Sequence, residues 1–188
     1  MKQQFIDLLL KTERPGINNL IAYLDTQTDF FTAPASTKYH GAKEGGLLEH
    51  SIAVNKNIDL VCNSIGLVTQ WNSRRIVALL HDVCKANFYR KAIRNIKNQQ
   101  TGQWESVEVY EFDDQLPLGH GEKSVMILQR YIYLLDEEMM AIRWHMGGFD
   151  DTARSYAGGL QLSAAMQKYP LITVLHTADL IASNIQKS

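Results

Sequence analysis

Apolar residues recur along most of this chain at intervals of three and four, the spacing of amphipathic helices. The pattern predicts short helices over residues 3–11 and 17–24. A longer one is predicted over residues 46–65, where Leu47, Ile52, Val54, Ile58 and Val61 make one stripe. Ser73 is placed to cap the next helix, whose apolar run Ile76-Val77-Ala78-Leu79-Leu80 leads into His81. Helices are also predicted over 121–131, over 137–146 with Asp136 as cap, over 156–168, and over 171–185 with Pro170 at the start. Gly147-Gly148 breaks the helix that ends beyond His145. Residues 29–38 read as a loop, with Phe30, Phe31 and Pro34 packed over the core. One stretch, 90–110, departs from helical spacing. Ile93 and Ile96, then Trp104, Val107 and Val109, flank Asn98-Gln99-Gln100-Thr101-Gly102, which reads as a β-hairpin with glycine in the turn. The expectation is one mainly α domain over residues 1–188 with a single small hairpin.

The pair His81-Asp82 interrupts this pattern with chemistry. It closes a strongly apolar run, where an imidazole and a carboxylate are costly to bury unless something binds them. A divalent metal ion is the simplest such partner, because neutral imidazole nitrogen and carboxylate oxygen are both ligands for borderline ions. Adjacent helical side chains diverge by about 100°, so an ion would sit between the two and need ligands from elsewhere. Lys85 follows at a spacing that shares the helical face. Candidate partners are His50, His120, His145 and Asp179, with His176 one helical turn before Asp179. Asp179 sits in an otherwise apolar helix, where an unpaired carboxylate is hard to rationalise. His40 is set aside as an ordinary surface or core imidazole.

The ordered set His50, His81-Asp82, His120, His145, Asp179 resembles the ligand pattern of HD-domain metal-dependent phosphohydrolases, in particular their two-metal branch. The contexts Gly46-Leu47-Leu48-Glu49-His50, Leu80-His81-Asp82-Val83-Cys84-Lys85 and Gly119-His120 are similar to the HD part of certain bacterial 3′-to-5′ exonucleases. Those enzymes carry an added nucleic-acid-binding domain for which 188 residues leave no room, so the closer resemblance is to small stand-alone HD hydrolases of bacteria and phages. The resemblance implies an HD-type helical bundle. It also implies one ion held by His50, His81, Asp82 and Asp179, and a second held by Asp82, His120 and His145. Two departures stand out: Met146 occupies a position where several relatives have a further His, and His176 precedes the closing Asp. His176 is therefore left outside the ligand set.

Composition narrows the setting. Hydrophobic residues are 45% of the chain, an ordinary globular core. The two cysteines, Cys62 and Cys84, do not suggest a disulfide framework, and with no apolar leader after Lys2 the expectation is a cytoplasmic protein without a membrane anchor. Net charge is −1, so there is no global attraction for nucleic acid. Seven basic residues from Arg74 to Lys97 precede the acidic run Glu105, Glu108, Glu111, Asp113, Asp114. Cross-strand ion pairs in the hairpin account for this; alternatively Arg90 or Lys91 faces a substrate phosphate.

With two ions and only two carboxylates, the site retains net positive charge before Lys85 is added, which suits a phosphate ester. Two ions roughly 3.5–4 Å apart could share Asp82 and hold a bridging hydroxide that attacks phosphorus, with Lys85 stabilising the developing charge. The expected activity is a metal-dependent phosphohydrolase, cleaving a monoester or diester of a nucleotide or short oligonucleotide. Asp82 and Lys85 would be catalytic, and Lys85, Arg90, Lys123 and Trp144 would bind substrate. Glu49 and Glu122 are further candidates beside the ligands, and Asp114, Phe149 and Asp150 for the pocket lining. So many imidazoles favour Mn, Fe, Co, Ni or Zn over Mg. The alternative is a di-iron oxygenase of the same fold; a non-catalytic ligand sensor ranks below it, because the ligand set is complete. Zinc peptidase chemistry lacks its His-Glu-x-x-His motif. The substrate and the oligomeric state stay open at this stage.

Overall fold

The computed structural model describes residues 1–37 and 41–186. His40 and Lys38 lie outside the described residues. The chain is mainly α. Its elements run α1 (Lys2–Leu10), α2 (Ile17–Thr26), α3 (Gly46–Ile65), α4 (Trp71–Leu80), β1 (Tyr89–Lys97), β2 (Trp104–Phe112), α5 (His120–Leu128), α6 (Asp136–Trp144), α7 (Tyr156–Lys168) and α8 (Leu171–Leu180). Short 3₁₀ turns cover Val83–Lys85, Gly147–Phe149 and Thr152–Arg154, and a π-helical turn, Ile181–Ile185, continues α8. No helix among the described residues is long and apolar enough to cross a membrane. Both cysteines are free and buried.

The long helix α3 is the spine. It packs against α4 and α8, α6 lies against α8 and α4, and α5 rests on α6. Their apolar stripes meet in a core that fully buries Leu47, Ile58, Ile76, Leu79, Ile142 and Leu175. Each such side chain contributes about 1.5–3 kcal/mol by leaving water. At the N-terminal end, the rings of Phe5, Phe30 and Phe31 pack 5.2–5.6 Å apart. Pro34 is buried and Phe30 fully so, and the loop after α2 is held down by apolar burial, as the sequence suggests.

Two predicted caps are corrected. Helix α4 begins two residues before Ser73, with extended Gln70 as its N-cap. The buried Ser73 hydroxyl instead donates to Glu138 Oε1 at 2.8 Å. Likewise Leu135, not Asp136, caps α6, and its N–H donates to Glu138 Oε2 at 2.9 Å. In both cases Glu138 takes over. This fully buried carboxylate also accepts two hydrogen bonds from Arg14, at 3.0 and 2.5 Å, and Arg14 donates to Tyr133 O at 2.7 Å. A tertiary network thereby outcompetes a local cap, because a buried carboxylate must be satisfied wherever donors are found. The network ties the α1–α2 turn to α4 and α6, the two helices that lead into His81 and His145.

The hairpin forms where the sequence places it, extended by a residue or two at each end. Tyr89 pairs with Phe112 and Lys97 with Trp104, in antiparallel register. Asn98 Oδ1 accepts from the N–H groups of Gln100 and Thr101, and Gly102 supplies the positive φ of +72° that closes the turn. The charge reversal between the strands resolves into cross-strand ion pairs: Arg90–Glu111 at 3.4 Å, Arg94–Glu111 at 2.9 Å and Lys91–Glu108 at 3.0 Å. The distal part stands clear of the helices, with Ile93 78% and Trp104 71% exposed.

Replacing Glu138 by Ala strands the Arg14 guanidinium and the Ser73 hydroxyl. The expected loss is about 3–5 kcal/mol of unfolding free energy, read by urea denaturation. A loss below about 1 kcal/mol would show that the network is dispensable.

Candidate metal centre

The site starts where α4 stops. His81 keeps helical backbone angles (φ −55°, ψ −34°), whereas Asp82 turns to φ −103°, ψ 18°. That conformation lies in the bridge region between helix and strand. The break removes the divergence that a continuing helix would impose on adjacent side chains, and Asp82 Oδ2 comes within 3.5 Å of His81 Nε2. The following 3₁₀ turn brings Lys85 Nζ to 2.7 Å from the same oxygen.

The two oxygens of Asp82 face different groups. Oδ2 looks toward His81, His50 Nε2 at 3.7 Å and Lys85. Oδ1 looks toward His120 Nε2 at 2.7 Å and His145 Nε2 at 3.4 Å. On the far side of the first group, His50 Nε2 lies 3.1 Å from Asp179 Oδ1 and 3.3 Å from His81 Nε2. All six residues anticipated as ligands therefore converge on one place, from α3, α5, α8 and the segments just beyond α4 and α6. Potential donor atoms fall into three overlapping sets: His50, His81 and Asp179; His81, Asp82 and His145; and Asp82, Cys84 and His120.

The donor set fits a metal ion. With metal–nitrogen and metal–oxygen bonds of about 2.0–2.2 Å, neighbouring ligand atoms stand roughly 2.9 Å apart at 90° and 3.4 Å apart at the tetrahedral angle. The observed 3.1, 3.3 and 3.4 Å spacings fall in this range. Tautomers are arranged for the same purpose. His81 Nδ1–H donates to Ala78 O at 3.0 Å, and His145 Nδ1–H donates to Ile142 O at 2.7 Å. A carbonyl only accepts, so each ring presents the Nε2 lone pair to the centre. The His145 Nε2 atom is buried and has no hydrogen-bond partner among the described residues.

Electrostatics follow from burial. His50, His81 and His145 are fully buried and Asp82 nearly so, while the His120 and Asp179 side chains are 29% and 16% exposed and mark the open side. Burial opposes ionisation of Asp82, but Lys85 and the surrounding imidazoles outweigh it and hold the carboxyl well below the usual range. Burial, helped by the neighbouring His81 and His120 rings, drives His145 down against the opposing pull of Asp82. His120 is pushed up to about 10, because Cys84 and Asp82 overcome its desolvation. A metal ion held there would have to displace that proton, so its affinity would fall as pH drops.

Packing holds the ligands in position. A Cβ on Gly121 would collide with the Arg143 carbonyl, so glycine allows α5 to approach α6 and brings His120 beside His145, ring centroids 5.2 Å apart. His176 is not among the converging donors. Its Nδ1 donates to His145 O at 2.6 Å, and its ring occupies the space beside Gly147, whose φ is +54°. Asp179 is steadied by the Ser183 hydroxyl at 3.1 Å, and the preceding Ala178 carbonyl by Asn57 of α3 at 3.2 Å.

Other expected residues are placed differently. Strand alternation turns Arg90 away from the Tyr89–Lys91 face and into its ion pair with Glu111; its side chain is 62% exposed and does not join the cluster. Lys123 is buried against Asp114, with its ammonium 4.8 Å from the Phe88 ring centroid. Trp144 is 5% exposed under the Arg143 guanidinium, 3.9 Å from its ring centroid, which leaves no open face for a nucleobase. Glu49 pairs with Lys43 at 2.6 Å, and Arg143 bridges Glu122 at 2.6 Å and Asp150 at 2.8 Å. Phe149 is exposed beside His176. Two features were not foreseen. Cys84 enters the donor set from two residues beyond Asp82, and its softness as a ligand was the available signal. A cavity of about 310 Å³ lies between the loop after α2 and the hairpin base, lined in part by Tyr89, Lys91 and Tyr110. Burial pushes the Tyr89 phenol up to about 12, with Lys85 opposing the shift and Asp82 adding to it. No family model, curated protein or solved structure matches the chain.

The Arg143–Asp150 pair clamps the turn after His145. Burial raises the Asp150 carboxyl, but Arg143 and the N–H groups of Ala153 and Thr152 bring it below its ordinary value. A depressed folded-state pKa stabilises above the unfolded value, near 3.9, and that stabilisation is lost as pH falls through the folded value. Asp150→Asn is therefore expected to cost about 1–3 kcal/mol at pH 7, with the gap from wild type narrowing below about pH 3.9. Thermal melts across pH read both effects; a gap independent of pH would refute the ionic contribution.

Proposed function

We propose that this chain is a metal-dependent phosphohydrolase of the HD type, acting on a phosphate ester of a nucleotide or short oligonucleotide. One observation carries the reading: a single buried carboxylate, Asp82, directs one oxygen to His50 and His81 and the other to His120 and His145. This is the arrangement needed to share one carboxylate between two cations, and the order of the ligands along the chain resembles that superfamily.

On this reading His50, His81, Asp82 and Asp179 hold one divalent ion, and Asp82, His120 and His145 hold the other. Ions so held supply Lewis acidity and bring a water's pKa toward neutrality. The chain does the rest. The backbone tethers on His81 and His145 keep the ring lone pairs aimed without reorganisation. Lys85 remains charged, because Asp82 more than offsets its burial, and it stands beside the Oδ2 side of the cluster to stabilise charge on the non-bridging phosphate oxygens. With two carboxylates against two dications and a lysine, the site attracts anions. Tyr89 and Tyr110, rather than Trp144, offer aromatic surface in the cavity at the hairpin base, where a base could pack. Arg90 has no part in this scheme.

A di-iron oxygenase would use much the same ligands, and the choice rests on turnover. After reconstitution with Mn or Co, the protein is expected to release phosphate or shortened product from a panel of nucleotides and short oligonucleotides, without oxygen uptake. Asp82→Ala should abolish the activity while leaving the far-ultraviolet helix signal intact, and Lys85→Ala should lower kcat about 10²–10³-fold. Oxygen consumption with no hydrolysis would overturn the reading, as would full activity in Asp82→Ala.

A further inference from the structure

We infer that the cavity between the loop after α2 and the hairpin base is a nucleobase pocket selective for guanine, with Glu44 reading the N–H edge and the tyrosines holding the ring. The inference rests on the nucleotide reading above and gives the substrate its base. At about 310 Å³ the cavity lies at the lower end of ligand pockets, which span about 300–1,000 Å³. It has room for one base rather than a run of them.

Its walls are fixed by backbone hydrogen bonds. In the loop, Asp29 O accepts from the N–H groups of Thr32 at 2.8 Å and Ala33 at 2.6 Å, and Thr32 O accepts from the Gly45 N–H at 2.9 Å. That last bond holds the backbone next to Glu44 against the loop. The opposite wall is the hairpin, where Tyr89, Lys91 and Tyr110 share one face by strand alternation. A reciprocal clasp joins the walls: the Asp29 N–H donates to Asn87 Oδ1 at 3.0 Å, and the Asn87 N–H donates to Asp29 Oδ1 at 2.6 Å. Asn87 turns the chain into β1 with a φ of +54°, a conformation that asparagine adopts more readily than most residues. Only Ala86 to Phe88 separate Lys85 from Tyr89. One short, clasped segment therefore carries both the lysine of the metal centre and a wall of the cavity.

The lining chemistry selects the ligand. Asp29 is engaged by Asn87, and Lys91 by Glu108 at 3.0 Å. Glu44 lines the cavity with no hydrogen bond or ion pair among the described residues. An ionised carboxylate only accepts hydrogen bonds, through two oxygens side by side. Guanine presents two adjacent N–H donors on its pairing edge, N1–H and the 2-amino group. Adenine and cytosine set an acceptor beside their amino group, and uracil flanks its single N–H with carbonyls, so each turns a lone pair toward the carboxylate. The Tyr89 and Tyr110 rings cross at 67° with centroids 6.5 Å apart, which offers a base one face to stack on.

Calorimetric titration of nucleosides into the full chain tests this. A nucleoside carries no phosphate, so it reads the cavity without the attraction of the metal centre. Guanosine is expected to bind, and inosine, which lacks the 2-amino group, to bind about tenfold more weakly. Adenosine and uridine should bind more weakly still. Glu44→Gln should remove the preference for guanosine over inosine, and the Tyr89 and Tyr110 ring signals should shift in the wild-type nuclear magnetic resonance spectrum on guanosine addition. Equal binding of all four nucleosides, no binding, or an unchanged preference in Glu44→Gln would overturn the assignment; the nucleoside series needs only the wild-type chain. Nucleotide hydrolysis with no base preference would remove this inference and leave the proposed function standing. Selective guanosine binding with no hydrolysis of guanine nucleotides after metal reconstitution would do the reverse.

Discussion

The structure depends on one buried carboxylate at the end of a helix. Asp82 is almost fully removed from water, and an ion in that position is tolerated only if it is surrounded by charge and donors. The molecule meets the requirement by directing five side chains at its two oxygens: three imidazoles and an ammonium within 3.5 Å, and His50 at 3.7 Å. Those groups come from widely separated points in the chain, so satisfying Asp82 brings α3, α4, α5 and α6 to a common centre. Asp179 joins from α8 through His50. The side chains of the candidate metal centre are gathered around this one residue.

Supports around the centre act on angle and approach. Two backbone carbonyls set the tautomers of His81 and His145. Gly121 permits the close passage of α5 over α6, and Gly147 leaves room for the His176 ring that bonds the His145 carbonyl. Further out, Glu138 fixes the starts of α4 and α6, and Arg143 fixes the turn after His145. Rigid placement of this kind is what a metal site requires of its protein, since ligands a fraction of an ångström out of place lose affinity and selectivity.

Much of this was legible in the amino-acid order. Periodicity of 3.6 located each helix, and Gly102 between two β-rich runs located the hairpin. Isolated ionisable residues in apolar contexts singled out His50, His81-Asp82 and Asp179, because burial without a partner is too costly to be accidental. Other features were not legible, for definite reasons. Ser73 and Asp136 look like caps locally, and only the tertiary position of Glu138 reveals why neither serves. Arg90 and Lys91 are indistinguishable by charge; strand alternation decides which one faces Glu111 and which lines the cavity. Trp144 reads as a free aromatic surface until Arg143 is seen stacked on it. Cys84 reads as a core residue until the 3₁₀ turn after Asp82 rotates it toward His120. In each case sequence separation hides the partner that decides the outcome.

The basic arm contributes nothing to the proposed attraction for phosphate. Arg90 and Arg94 are neutralised by Glu111 across the hairpin and Arg74 and Arg75 by Asp59, so in the proposed scheme the positive charge would come from bound ions together with Lys85. The sharing of Asp82 is tested most directly by anomalous diffraction from crystals of the Mn- or Zn-loaded protein. The account predicts two peaks about 3.5–4 Å apart, one within bonding distance of each Asp82 oxygen. A single peak held by one oxygen, or metal bound away from Asp82, would contradict it.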